Sequence, residues 1–158
     1  MKTTNIMLTV CVIALALACF FSIDAPLRFD STRAAREADV KRVLIKIRAA
    51  EERFRSDSGF YAADFKALVA PGYLPDSLQY IPHSGGKRFR LSATTVTTRS
   101  GHAVPVMECA AGYYDYLGDL DRTSVDALAR KTTEAGLFAG LKIGDATADN
   151  GNAANWEQ

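Results

Sequence analysis

Residues 31–58 read STRAAREADVKRVLIKIRAAEERFRSDS, and their spacing decides the fold. Val40, Val43, Leu44, Ile47, Ala50 and Phe54 recur at the i, i+3, i+4, i+7 interval that brings side chains to one side of a helix. Around them stand eight basic and five acidic residues. Mixed signs read as a solvated face, although the basic excess also suits anionic lipid headgroups. Glu37 precedes Lys41 by four residues, the favourable order for a helical ion pair. Asp30 or Ser31 can cap the start by accepting from a free backbone N–H, and Gly59 suits a left-handed stop. Pro26 lacks an N–H and crowds the preceding turn, so it predicts an interruption before this helix. The expectation is a helix over about 31–58 with one buried face.

N-terminal to it, residues 6–23 read IMLTVCVIALALACFFSI without a charge. As a helix these eighteen residues measure about 27 Å, near the thickness of a bilayer's hydrocarbon core. Ile6, Leu8, Val10, Val12, Ile13, Leu15, Leu17, Phe20, Phe21 and Ile23 are the expected anchor residues. A secretory signal cleaved after Ala16-Leu17-Ala18, or lipidation at Cys19, are the alternatives. The run continues past both sites, which favours a retained anchor. Lys2 before it and the acid-free start resemble an export signal and place the following domain outside the cytoplasm, anchored in the inner membrane. Arg28, Arg33 and Arg36 just after the segment favour the opposite orientation. Secreted or lipid-anchored forms remain open.

Beyond Gly59 the pattern predicts a small α+β head over 24–144. Ala62–Ala70 fits a short helix with Phe65, Leu68 and Val69 inward, and Pro71-Gly72 a turn. Leu78–Ile81, Arg88–Thr98 and Ala103–Ala110 read as three antiparallel strands packed on the long helix, with Pro105 expected at an edge or bulge. A further helix is expected over about 124–135, capped by Thr123 or Ser124. Residues 145–158 are polar and read as a loosely held tail.

Chemistry is sparse. The net charge of +1 gives no reason to expect nucleic acid. Cys11 and Cys19 lie in the apolar segment, so Cys109 is the sole domain thiol and reads as a core residue. His83 and His102 fall in turns at opposite ends of one predicted strand, over 30 Å apart at about 3.3 Å per residue. Glu51 and Glu52 diverge by about 100° on a helix and make no catalytic pair. Asp119 and Asp121 read as a helix lead-in. Asp145, Asp149, Asn150 and Asn152 offer oxygen ligands but lack an EF-hand spacing. No cofactor, metal site or catalytic residue is expected, and the chain does not read as an enzyme. Tyr113, Tyr114 and Tyr116 are the candidate contact for a protein partner.

The order of parts, with Ile47-Arg48-Ala49-Ala50-Glu51, Gly59-Phe60-Tyr61, Phe65, Leu68 and Tyr73-Leu74-Pro75 at the junction, resembles type IV pilins and type II secretion pseudopilins. The likeness covers roughly residues 6–110 and is one of architecture. The family's leader motif has no counterpart, since the first glycine is Gly59 and the first acid Asp24. The resemblance implies a structural or assembly subunit that self-associates through its N-terminal helix, with membrane lipid and proteins as partners. A monomeric anchored module that binds a protein is the alternative.

Overall fold

The structure, a computed structural model, describes residues 2–98 and 101–157, and the side chains within them except those of residues 2–5 and 18–26. Residues 1–34 and 35–158 form two compact units. Helix α1 runs Lys2–Ser58, so it belongs to both. The interruption expected at Pro26 is absent. A proline removes one backbone donor, a cost of about 3 kcal/mol that a long helix can absorb through its many other bonds.

In the first unit the large apolar residues of 6–17 are exposed, from 52% at Leu17 to 70% at Met7. Among the described residues no helix is long and apolar enough to cross a membrane. Phe20, Phe21 and Ile23 of the expected anchor, and Cys19, lie outside the described side chains.

The second unit is α+β. Val40, Leu44, Ile47 and Ala50 of α1 are fully buried, while Val43 and Phe54 are half-buried. Gly59 ends the helix at φ +84°, a left-handed conformation that glycine adopts at little cost. Helix α2, Phe65–Val69, is capped by the Asp64 carboxylate, which accepts from the Ala67 N–H. Strand β1, Arg90–Thr97, β2, Ala103–Gly112, and β3, Gly140–Gly144, form an antiparallel sheet in the order β1-β2-β3. The short helix α3, Tyr113–Tyr116, and α4, Arg122–Glu134, lie between β2 and β3 in the chain. Asp121 rather than Thr123 or Ser124 caps α4, accepting from the Ser124 N–H.

The register aligns Leu91 with Cys109 and Ile143, Ala93 with Met107, and Ala111 with Leu141. Met107, Cys109, Ala111 and Ile143 are fully buried and form the sheet's share of the core. On the other face, Phe138 lies under the cations of Arg90 and Lys142 at 5.7 and 6.0 Å, two residues in register with Ala110.

The third strand is not the expected one. Residues 78–81 are not a strand: Asp76–Gln79 form a 3-10 turn, closed by Gln79 Nε2 donating to the Asp76 carboxylate and by the Leu78 N–H donating to Pro75 O. Tyr80 then makes a single bridge to Arg88. Pro105 sits in the central strand, but its position explains the tolerance. The Thr98 N–H donates to His102 O, which makes 98↔102 a hydrogen-bonded pair and 95↔105 a non-bonded one. Pro105 therefore withholds no bond from β1, and β3 pairs with 108–112 and ends before reaching it.

The polar C-terminal stretch is docked. Ala154 is buried and bridges Ile143. The Asn155 side chain accepts from the Lys142 N–H and donates to Gly140 O. Arg48 holds Glu157 with two bonds of 2.9 and 3.2 Å, and Lys41 lies over the Trp156 ring.

Gly144 has φ +70°, and a Cβ there would lie 2.1 Å from Met107 O. Gly72 has φ +87° with open space around it. Gly72→Ala should therefore cost about 1 kcal/mol from backbone conformation alone, whereas Gly144→Ala should cost about 3 kcal/mol or more. Urea unfolding of the two variants measures the difference.

Candidate functional site

The tyrosines expected to form one contact patch are divided by their helix. In α3 the three-residue interval turns Tyr113 and Tyr116 to the same side, where both are buried with rings 6.1 Å apart, edge to face. Tyr114 points outward and donates its hydroxyl proton to Asp126 at 2.8 Å. Of the three, Tyr114 alone is exposed.

The histidines also stand apart. His83, at φ +62°, meets the Asp39 carboxylate at 2.9 Å, and this contact is the main cause holding Asp39 below its ordinary range. His102 lies exposed in the β1–β2 turn. Asp119, expected as helix lead-in, instead grips Arg36 of α1 through both oxygens. That pairing holds its carboxyl at about 2. Arg36 also donates to Tyr116 O at 2.8 Å.

The oxygen-rich residues of the C-terminal stretch are occupied locally. Asp145 accepts from the Thr147 N–H and hydroxyl, and Asp149 from the Gly151 N–H. Asn152 donates to the Tyr61 hydroxyl at 2.7 Å. Among the described residues no three His, Cys, Asp or Glu side chains are placed to hold a metal ion.

The least expected feature is Glu51, which the sequence places on the charged face but which is 0% exposed. It follows Leu44 by seven residues and Ile47 by four, so it continues the buried stripe. The turn at Gly59 brings the chain back, and the Ala62 N–H donates to Glu51 Oε2 at 2.9 Å. Oε1 has no hydrogen-bond partner among the described residues. Burial pushes the acid up to about 7, against the opposing pull of the Ala62 N–H. Beside it on β2, burial pushes the Cys109 thiol up, and the charges of Glu51 and Glu108 add to the effect. A thiol held protonated is a poor nucleophile, and a carboxyl sealed from solvent cannot reach a substrate.

A depression of about 770 Å³ lies at the start of β1. Phe65, Lys66 and Val69 of α2 line it on one side, and Arg88, Arg90 and Leu91 on the other. Asp64 and Asp76 also border it, but each carboxylate already accepts a bond, from Ala67 and Gln79. Sequence reading missed this groove because its walls come from α2, the 3-10 turn and β1, whose packing no local pattern specifies.

Comparison with known proteins finds no matching family model, no matching curated protein and no matching solved structure.

Because the folded state favours protonated Glu51, its contribution to stability is complete below the ordinary carboxyl value of 4.5. It declines as pH rises through 7 and is absent above. The window corresponds to about 3 kcal/mol. Urea unfolding between pH 4.5 and 8 should show that loss. Glu51→Gln, which keeps an acceptor for Ala62, should remove most of the slope. Asp119 titrates near 2, outside this window.

Proposed function

We propose that the chain is a non-enzymatic structural or assembly subunit of a cell-envelope complex, pilin-like in architecture, which buries its N-terminal apolar segment in membrane lipid and against other copies. The observation that carries this reading is the exposed apolar run at 6–17. Ile6, Met7, Leu8, Val10, Val12, Ile13, Leu15 and Leu17 are all more than half exposed. Eight large apolar side chains in so short a run exceed what an isolated soluble surface ordinarily carries.

Exposure on successive residues means that the whole circumference of this helix is apolar, as in helices surrounded by lipid or by other helices. The segment after it supplies charges for the boundary: Arg28 and Asp30 follow, and the fully buried stripe of α1 begins at Val40. In this reading the head lies outside the cytoplasm, at the inner membrane. Its one thiol, Cys109, is buried.

Two measurements on the full chain test this reading. In vesicle flotation the wild type should rise with the lipid, and Leu8→Lys, Val12→Lys and Leu15→Lys together should leave it at the bottom. For self-association, the exposed Cys11 serves as a reporter in a Cys19→Ser background. Mild oxidation in membranes should give a Cys11-linked dimer. A chain that floats but stays monomeric at all loadings would contradict the assembly role and leave an anchored binding module.

A further inference from the structure

The outer edge of β1 is built to receive another strand. Three bonds fix which way its backbone groups point. The Thr98 N–H donates to His102 O, toward β2. The Phe89 N–H donates to Gln79 O and Lys87 O accepts from the Ile81 N–H, both on the other side. Because direction alternates along a strand, the N–H and C=O groups of Leu91, Ala93, Thr95 and Thr97 also point to that other side. Residues 79–81 cover the edge at 87–89 and then turn away through the 3-10 turn. From Leu91 onward no described strand pairs with it. The 770 Å³ groove opens at that point, bounded by Asp76, Gln79, Leu91 and α2. It continues the line that 79–81 began.

Such edges are templates for pairing, and natural proteins blunt them with proline, bulges, short length or inward charge. β1 has eight residues and no proline, glycine or acid; Thr94, Thr95, Val96 and Thr97 favour the extended conformation. The strand's own charge is positive, and in the groove Lys66, Arg88 and Arg90 outnumber the two carboxylates, Asp64 and Asp76. Residues 77–107 contain Lys87, Arg88, Arg90 and Arg99 and neither Asp nor Glu. Arg88 and Arg90 lie over the rings of Tyr80 and Phe138, contacts that fix the guanidinium groups without cancelling their charge. Asp76 acts on Arg88 by its charge, and Lys87 reaches Asp115 at 3.4 Å.

We propose that β1 binds an extended acidic peptide segment of a partner protein by strand addition, at the edge Leu91–Thr97 and in the adjoining groove. Main-chain bonds to Leu91, Ala93, Thr95 and Thr97 hold the peptide. Alternate apolar side chains meet Phe65 and Val69, and acidic ones meet Lys66, Arg88 and Arg90. This surface lies within the head and does not depend on the reading of the N-terminal segment.

The test is fluorescence anisotropy with the full chain and a labelled seven-residue peptide of alternating glutamate and valine. A lysine–valine peptide and a glutamate–valine peptide with a central proline serve as comparisons. The acidic peptide should bind, at least tenfold more weakly at 0.5 M salt than at 0.05 M, and the other two at least tenfold more weakly than it. Thr95→Pro removes an outward N–H and leaves the ladder to β2 intact, so the head should keep its circular dichroism and lose at least tenfold in affinity. Arg88→Glu with Arg90→Glu should weaken the acidic peptide and improve the lysine peptide, a reversal that a merely unfolded head cannot give. Equal binding of acidic and basic peptides, or unchanged binding by both variants, overturns the proposal. So does a chain whose β1 edges pair with one another, seen as a dimer that Thr95→Pro makes monomeric without any peptide binding.

Discussion

A carboxyl group taken out of water costs several kcal/mol unless it is neutral or well hydrogen-bonded, and the head is organised around one. Glu51 occupies the position where the buried stripe of α1 meets the returning chain. Its single bond, from the Ala62 N–H, requires the helix to stop at Ser58 and the chain to reverse at Gly59. The reversal buries Tyr61, whose hydroxyl accepts from Arg55 and from Asn152. Helix, return loop and C-terminal stretch are thereby joined within a few residues. Neutral Glu51 is less costly here than ionised Glu51, whose charge is buried with a single bond. The carboxyl therefore makes the clasp sensitive to pH where most carboxylates have finished titrating.

How much of this was legible follows from the range of the signals. The face Val40–Leu44–Ile47–Ala50 was readable because helical periodicity is local, and the same interval, followed without regard to polarity, reaches Glu51. Strands β1 and β2 were readable from alternation and a Gly101 turn. Strand β3 was not: Gly-Leu-Lys-Ile-Gly is five residues with glycine at both ends, and it is a strand because Glu108–Gly112 pairs with it. Polar composition hid the C-terminal stretch for the same reason. Arg48, 109 residues before Glu157, supplies the partner, and sequence carries no mark of that pairing. At 113–116 the tyrosine-rich composition suggested a surface, and helical phase put two of the three rings inside.

The two proposed interaction surfaces differ in physics. The apolar run at 6–17 offers no charge and no exposed backbone, so its associations rest on burial of apolar area and should resist salt. The β1 edge offers unpaired backbone and positive charge, so association there depends on alignment and should weaken with salt. An assembly subunit with both could pack through one and recruit through the other. The groove is too polar at its rim to compete for lipid, and the apolar run has no backbone donors to attract a strand.

The clasp is tested most directly by the carboxyl itself. Carbon-13 NMR of the Glu51 side chain in the intact chain, followed from pH 4 to 9 together with the amide of Ala62, reads both partners of the bond. The account predicts one shared midpoint near 7, with the Ala62 amide shifting as Glu51 ionises. A Glu51 midpoint near 4.5, or an Ala62 amide indifferent to the titration, would contradict it.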